Sequence, residues 1–227
     1  MWRYLAPTIS HQYGINSAQS AEPSVPKLDR GQRATWAKLE TFDEQLKVIN
    51  INVNGFRSKK AQIRRFISEK GKNSIWALND TRLHNNIQLA NIPGYTMIRE
   101  DKNYNGAMAT AGGVAILIPQ NWSCNRVNIR LPGNHCESLT VIVTPAGVNT
   151  NPFKLNTTYN HPGNHISPQF IVDLKNHLFN GKMLPFLMVG DLNSPHQSFG
   201  SSTTNEFGSS LLHIINNENI IHINNNK

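Results

Sequence analysis

From Leu46 onward the chain is punctuated by apolar runs of seven or eight residues: "LKVININV", "SIWALND", "GYTMIRE", "GGVAILIP", "CNRVNIRL", "SLTVIVTP", "FKLNTTYN" and "LPFLMVG". Most carry β-branched or aromatic residues and are separated by Gly, Pro and Asn, a pattern of extended backbone broken by turns. Short strands cannot bury their faces singly. They need sheets, and sheets need covering layers. Helical stretches supply the cover. Ser58 can cap a helix over 59–70, with Ile63, Phe66 and Ile67 at i, i+3, i+4 spacing on one face. Ser167 and Pro168 open a second helix, striped by Phe170, Ile171, Leu174 and Leu178 and stopped at Asn180-Gly181. "NEFGSSLLHIINNEN" reads as a third. The class expected is therefore α/β (α+β), a layered sandwich; pattern alone leaves a doubly wound sheet open. Residues 1–45 hold few aliphatics among scattered Pro, Ser and Gln. They predict a flexible leader with a short helix near "RATWAKLETFDEQ", and the domain is expected over 46–227.

The polar residues that close these runs carry the chemistry. "LKVININVNG" ends on Asn52 and Asn54, and "FLMVGDLN" on Asp191 and Asn193. In extended backbone, residues i and i+2 project from one face, so each pair converges. Asp80, closing "SIWALND", is a third such end, and Tyr159 with His161, after "FKLNTT", a fourth. One pair has an ordinary explanation as a turn that bonds its own backbone. Four strand ends of this kind make independent turns a poor account. Carboxylate and amide oxygens are the hard donors Mg²⁺ prefers, and that ion commonly takes one or two carboxylates while keeping its waters.

The ordered pieces "NVNGFRSK", "LNDTRL", "GGVAILIP", "TTYNHPG" and "LMVGDLNSPHQSFGS" resemble the endonuclease/exonuclease/phosphatase superfamily. The nearest resemblance is to the endonuclease domain of jockey-like LINE (non-LTR) retrotransposons. It implies a deoxyribonuclease I-like four-layer fold: a two-sheet β-sandwich flanked by helices, with the last strands missing here. It also implies Mg²⁺-dependent (or Mn²⁺-dependent) hydrolysis of a DNA phosphodiester. By position, Asn52 would hold the catalytic machinery, Asn54 would lie near the metal, and Asp80 would stand where the family has a metal-binding Glu. Tyr159 would contact the scissile phosphate, Asp191 would orient the attacking water, and Asn193 would stabilise the phosphate. Arg57, directly after the catalytic strand, and Ser201, closing the aromatic-Gly-Ser step, would meet the DNA backbone.

Two departures set expectations against full activity. Asp80 is one methylene shorter than the Glu it replaces, a retraction of roughly 1.5 Å. The family's later strand-end aspartate and its Ser-Asp-His have no counterpart after Asp191; His196, His213 and His222 arrive too early. The reading is an impaired nicking endonuclease. Its alternatives are a non-catalytic nucleic-acid-binding remnant and a phosphatase of the same superfamily.

A net charge of +8 suits a polyanionic partner, because cations placed on phosphate release counterions. DNA is the partner expected, with a reverse transcriptase domain in a longer parent. Cys124 and Cys136 make no disulfide framework and read as reduced thiols; with His135 they lack metal-ligand spacing. His161 and His165 are separated by Pro and Gly, so no helix turns them into a zinc pair. No run approaches the ~18 apolar residues of a membrane span. "MWRYLAPTISHQYG" lacks the apolar core of a secretory signal. The expectation is an intracellular chain, with the nucleus a compatible compartment, and neither secretion nor a membrane.

Overall fold

Alternation along each strand decides the architecture. The computed structural model describes residues 34–40, 45–70, 73–84, 92–101, 112–128, 136–147, 150–164, 169–170, 172–173, 176 and 184–217. In chain order they form β1 (Ala34–Glu40), β2 (Gln45–Asn52), α1 (Phe56–Lys70), β3 (Ser74–Asn79), β4 (Tyr95–Glu100) and β5 (Val114–Pro119). β6 (Ser123–Val127), β7 (Cys136–Thr144), β8 (Phe153–Asn160), β9 (Phe186–Asp191) and α2 (Glu206–Asn217) complete them. One sheet has the order β1-β2-β3-β5-β4, the other β6-β7-β8-β9.

In β2, Leu46 and Val48 face the space between the sheets, while Ile49 and Ile51 face α1. In β5, Val114, Ile116 and Ile118 point inward, and Ala115 and Leu117 outward. The second sheet answers with Leu139, Val141 and Val143 from β7 and Phe153 and Leu155 from β8. Phe56, Ile63 and Ile67 of α1 cover the outer face of the first sheet. Phe170, with Leu211 and Ile214 of α2, covers the outer face of the second, against Phe186 and Met188. The result is four layers, helix on sheet on sheet on helix, as the deoxyribonuclease I-like expectation required.

Two elements differ from the sequence reading. "ATWAKLE", expected within a helix, is strand β1, antiparallel to β2 from Ala34↔Ile51 to Glu40↔Gln45. Ser58 is not the cap of α1. The helix starts three residues earlier than expected, at Phe56, and the Ser58 hydroxyl donates back to the Gly55 carbonyl at 2.9 Å. The start is held by the neighbouring strand's exit instead: the Gly55 and Phe56 amides donate to the Asp80 and Thr81 carbonyls, at 2.9 and 2.8 Å. These are helix-entry donors that would otherwise lack partners. Of the expected second helix, residues 169, 170, 172, 173 and 176 are helical; its Ser167-Pro168 start and Asn180-Gly181 stop lie outside the described residues.

Two pairings are parallel, β2 with β3 and β8 with β9, so their C-terminal ends lie at matching heights: Asn52 beside Asn79, Tyr159 beside Asp191. The second pairing depends on Gly190. A β-carbon there would collide with the backbone carbonyl of Thr158, its register partner. Gly190→Ala is expected to lower stability by about 1–3 kcal/mol, the usual cost of overpacking. It would appear as a lower urea midpoint with an unchanged m-value.

Candidate active site

At one end of the sandwich the inter-sheet core changes character. Alternation that puts Leu46 and Val48 inside also puts Asn50 and Asn52 there, and on the other strands it delivers Asn79, Thr157 and Asp191. Polar groups at such a depth must find partners. The Asn79 amide nitrogen donates to Thr157 Oγ1 at 3.0 Å, across the two sheets. Asn52 Nδ2 donates to Asp191 Oδ2 at 2.8 Å, although the two residues are 139 apart in sequence. Asp191 Oδ1 accepts the Asn193 amide at 3.3 Å, and Asn193 Nδ2 donates to the Asn160 carbonyl at 2.6 Å. The buried Asn160 side chain in turn donates to the Leu192 and Asn164 carbonyls, at 3.0 and 2.9 Å, fixing the loop after β9.

Backbone strain gathers at the same place. Among the described residues, the non-glycine positions with positive φ are Asn54 (45°), Asp80 (52°), Arg82 (53°) and Asn193 (48°). Asn and Asp visit this region more readily than other side chains. Arg82 has no such excuse, and strain of this kind concentrates where geometry is over-determined.

Asp80 is buried, and Oδ1 accepts the Gly112 amide at 2.7 Å. Its Oδ2 meets Arg82 Nη2 at 3.2 Å; the Arg82 side chain is 41% exposed and the Asp80 side chain 6%. The next amide, of Gly113, donates to Glu137 Oε2. Both glycines have positive φ, and a β-carbon on Gly112 would strike the Glu137 carboxylate, one on Gly113 the Thr81 hydroxyl. The other Glu137 oxygen lies 3.1 Å from His161 Nε2, and the His161 ring stands edge-on to Tyr159 with centroids 4.9 Å apart. Burial, followed by the negative charges of Asp80, Asp191 and Glu137, pushes the Tyr159 phenol well above its ordinary value, with Arg82 opposing.

The structure thus brings together Asn52, Asp191 and Asn193 by direct bonds. It sets Tyr159 beside Asp191 in register and brings Asp80 near enough for its charge to act on Tyr159. Asn54 is exposed at the rim, its amide bonded to Asn52 Oδ1 at 3.0 Å. Arg57 is exposed in the first turn of α1, beside the Asp80–Thr81 segment. The hydrogen bonds of Ser201 stay within its own turn: its amide donates to the His196 carbonyl at 3.2 Å, and its hydroxyl accepts from the Thr203 amide at 3.3 Å. Sequence reasoning missed Glu137 and Arg82. Glu137 sits second in β7 and becomes visible only through its register opposite Tyr159. Arg82 sits two residues beyond Asp80 in "LNDTRL", the one signal that could have found it.

Among the described residues, no three His, Cys, Asp or Glu side chains gather as a metal cluster. Magnesium does not need one, since a carboxylate, an amide oxygen, waters and a phosphate complete its shell. Asp80 and Asn54 offer such oxygens, and the exposed Arg82 guanidinium is the group that would make way on Asp80. These are oxygens of the hard kind that a divalent cation takes, although both Asp80 oxygens are engaged here by the Gly112 amide and Arg82.

Residues 49–221 match the model of the Endonuclease/Exonuclease/phosphatase family. The match takes in most of the chain, which belongs to that family. No curated protein matches the sequence. Solved structures with similarity include a humanized D. rerio TDP2 bearing 14 mutations, at 15% identity and a TM-score of 0.45, covering 71% of this chain and 68% of that one. D. rerio TDP2 complexed with a single strand DNA product has the same identity and score, covering 70% and 64%. ANGEL2, a 2',3'-cyclic phosphatase, gives 13% identity and a TM-score of 0.40, covering 73% and 57%. The chain thus spans less than two thirds of the length of the last two.

The Tyr159 environment has a consequence for stability. Its ordinary value is 10.0 and its folded value is higher, so its contribution is fully present below pH 10.0 and is lost as pH rises toward the folded value. Tyr159→Phe removes that dependence. Between about pH 8 and about pH 11, native protein should lose more unfolding free energy than the variant, measured by urea denaturation at each pH.

Proposed function

We propose that this family member is a divalent-metal-dependent hydrolase of DNA phosphodiesters, of the retrotransposon endonuclease kind. The observation that carries the reading is the 2.8 Å bond from Asn52 to Asp191, which fixes a part-buried carboxylate at the end of the seam between two sheets. With one oxygen held by Asn52 and the other by the Asn193 amide, Asp191 has a fixed orientation from which to align a water and take its proton. Tyr159 is kept protonated by burial and by the surrounding carboxylates, so it serves as a hydrogen-bond donor to a phosphate oxygen rather than as a base or nucleophile. Asn193 supplies a second polar contact. Asp80 and Asn54 would hold the Mg²⁺ or Mn²⁺ ion. What the bound ion supplies is positive charge for the phosphate oxygens and the leaving oxygen. Arg57, with the net charge of +8, favours the DNA backbone, and Ser201 is assigned there with it. A reverse transcriptase domain in a longer parent and an intracellular, nuclear setting belong to the same reading.

A specific observation favours a second reading, a non-catalytic DNA-binding domain. Asp80 has both oxygens engaged, by the Gly112 amide and by Arg82. Salt separates binding from chemistry: affinity should fall steeply between low and physiological salt in either case, and only the enzyme converts plasmid.

The deciding experiment is nicking of supercoiled plasmid with Mg²⁺ by native protein and by Asp191→Ala. Native protein should yield open circles, and the variant should be slower by roughly 10³-fold or more, as for other members of an interdependent catalytic unit. Equal rates would remove the proposed mechanism. Salt-sensitive binding with no nicking by either protein would establish the second reading.

A further inference from the structure

Glu137 is the one acidic group in the site to which the hydrolytic reading gives no task. It is the second residue of β7, directly opposite Tyr159, and its side chain is only 15% exposed. Both of its oxygens are committed, each to a different part of the molecule. Oε2 accepts the Gly113 amide at the start of β5, in the first sheet. Oε1 holds His161, just past the end of β8 in the second sheet, and that ring backs Tyr159.

The Gly112-Gly113 step is shaped for this contact. Its amides point in succession at two carboxylates, Gly112 at Asp80 and Gly113 at Glu137. The Gly112 and Gly113 carbonyls accept the Arg82 and Thr81 amides, at 2.7 and 3.0 Å, so the step and the Asp80 loop are laced together on both edges. Positive φ at both glycines, and the space that Glu137 fills against Gly112, leave no room for a side chain there. A solvated surface acid would have neither partner. A shorter acid would fall about 1.5 Å short of reaching both.

We propose that Glu137 is the positioning residue of this site, fixing Asp80 through the Gly112-Gly113 step and Tyr159 through His161. It thereby sets the distance between the residue assigned to the cation and the residue assigned to the phosphate. The catalytic half of this inference rests on the hydrolytic reading above; the structural half does not.

The test uses Glu137→Ala, Glu137→Asp and Glu137→Gln with two readouts. In plasmid nicking, the Ala and Asp variants should lose about 10- to 100-fold in kcat with KM within about threefold, as for residues that orient ligands without touching substrate. Gln keeps an oxygen for Gly113 and an amide for His161, and should return to within about threefold of native. In amide hydrogen exchange followed by NMR, Glu137→Ala should speed exchange at Gly113 and, through the coupled step, at Gly112 by about tenfold or more. Native kcat in Glu137→Ala would overturn the proposal, as would a Gly112 amide that stays fully protected while Gly113 loses protection. Should Glu137→Ala fail to fold, the same comparison between the Asp and Gln variants decides. Should native protein show no nicking, the hydrolytic reading falls, and exchange at Gly112 alone decides the role of Glu137.

Discussion

The hydrogen bond from Asn52 to Asp191 is the contact on which the arrangement of this molecule turns. A hydrogen bond to a charged acceptor contributes about 1.5–3 kcal/mol, a modest share of a domain's stability. Its larger effect is geometric. It ties the end of β2, in the five-stranded sheet, to the end of β9, in the four-stranded one. Asn79 and Thr157 repeat the device alongside. Two sheets packed through Leu, Ile and Val are held by shape alone, without directional bonds. A polar seam bonded across the sheets favours one alignment, even with Asn50 Oδ1 and Asn79 Oδ1 left without partners among the described residues.

Around that seam the electrostatics are one-sided. Asp80, Asp191 and Glu137 surround Tyr159, and Arg82 is the counter-charge placed among them. The arrangement keeps the phenol neutral. It would also repel any phosphate that arrived without a cation. Under the proposed hydrolytic reading a divalent ion would offset that repulsion, and the basic balance of the whole chain would favour a polyanion.

Much of this was legible in the sequence, for stated reasons. The strand runs could be read because buried strands need unbroken apolar stretches and their turns need Gly, Pro and Asn. Asn54, Asp80 and Asn193 stood out as polar residues closing apolar runs, but the expected i, i+2 projection from extended backbone fails: all three turn left-handed, and the Asn54 and Asn193 amides close turns on the Asn52 and Asp191 side chains. Other features were hidden by tertiary context. "ATWAKLE" has helix-forming composition, and pairing with β2 overrides it. Ser58 looked like a cap because the true partners of the helix start, the Asp80 and Thr81 carbonyls, come from another strand's exit. Arg82 carries no compositional sign of its positive φ, and Glu137 is one more polar residue until β7 is laid beside β8.

The position of β9 has one further consequence. Among the described residues it is bonded to a single strand, β8, and it carries Asp191 at its very end. Opening such a strand breaks one ladder and leaves β7, β8 and the other sheet intact, so it requires less free energy than global unfolding. On warming, the Asp191 carboxylate would then drift from its amide partner before the molecule melts, and an activity of the proposed kind would fade while most of the spectroscopic signature of the sheets persisted.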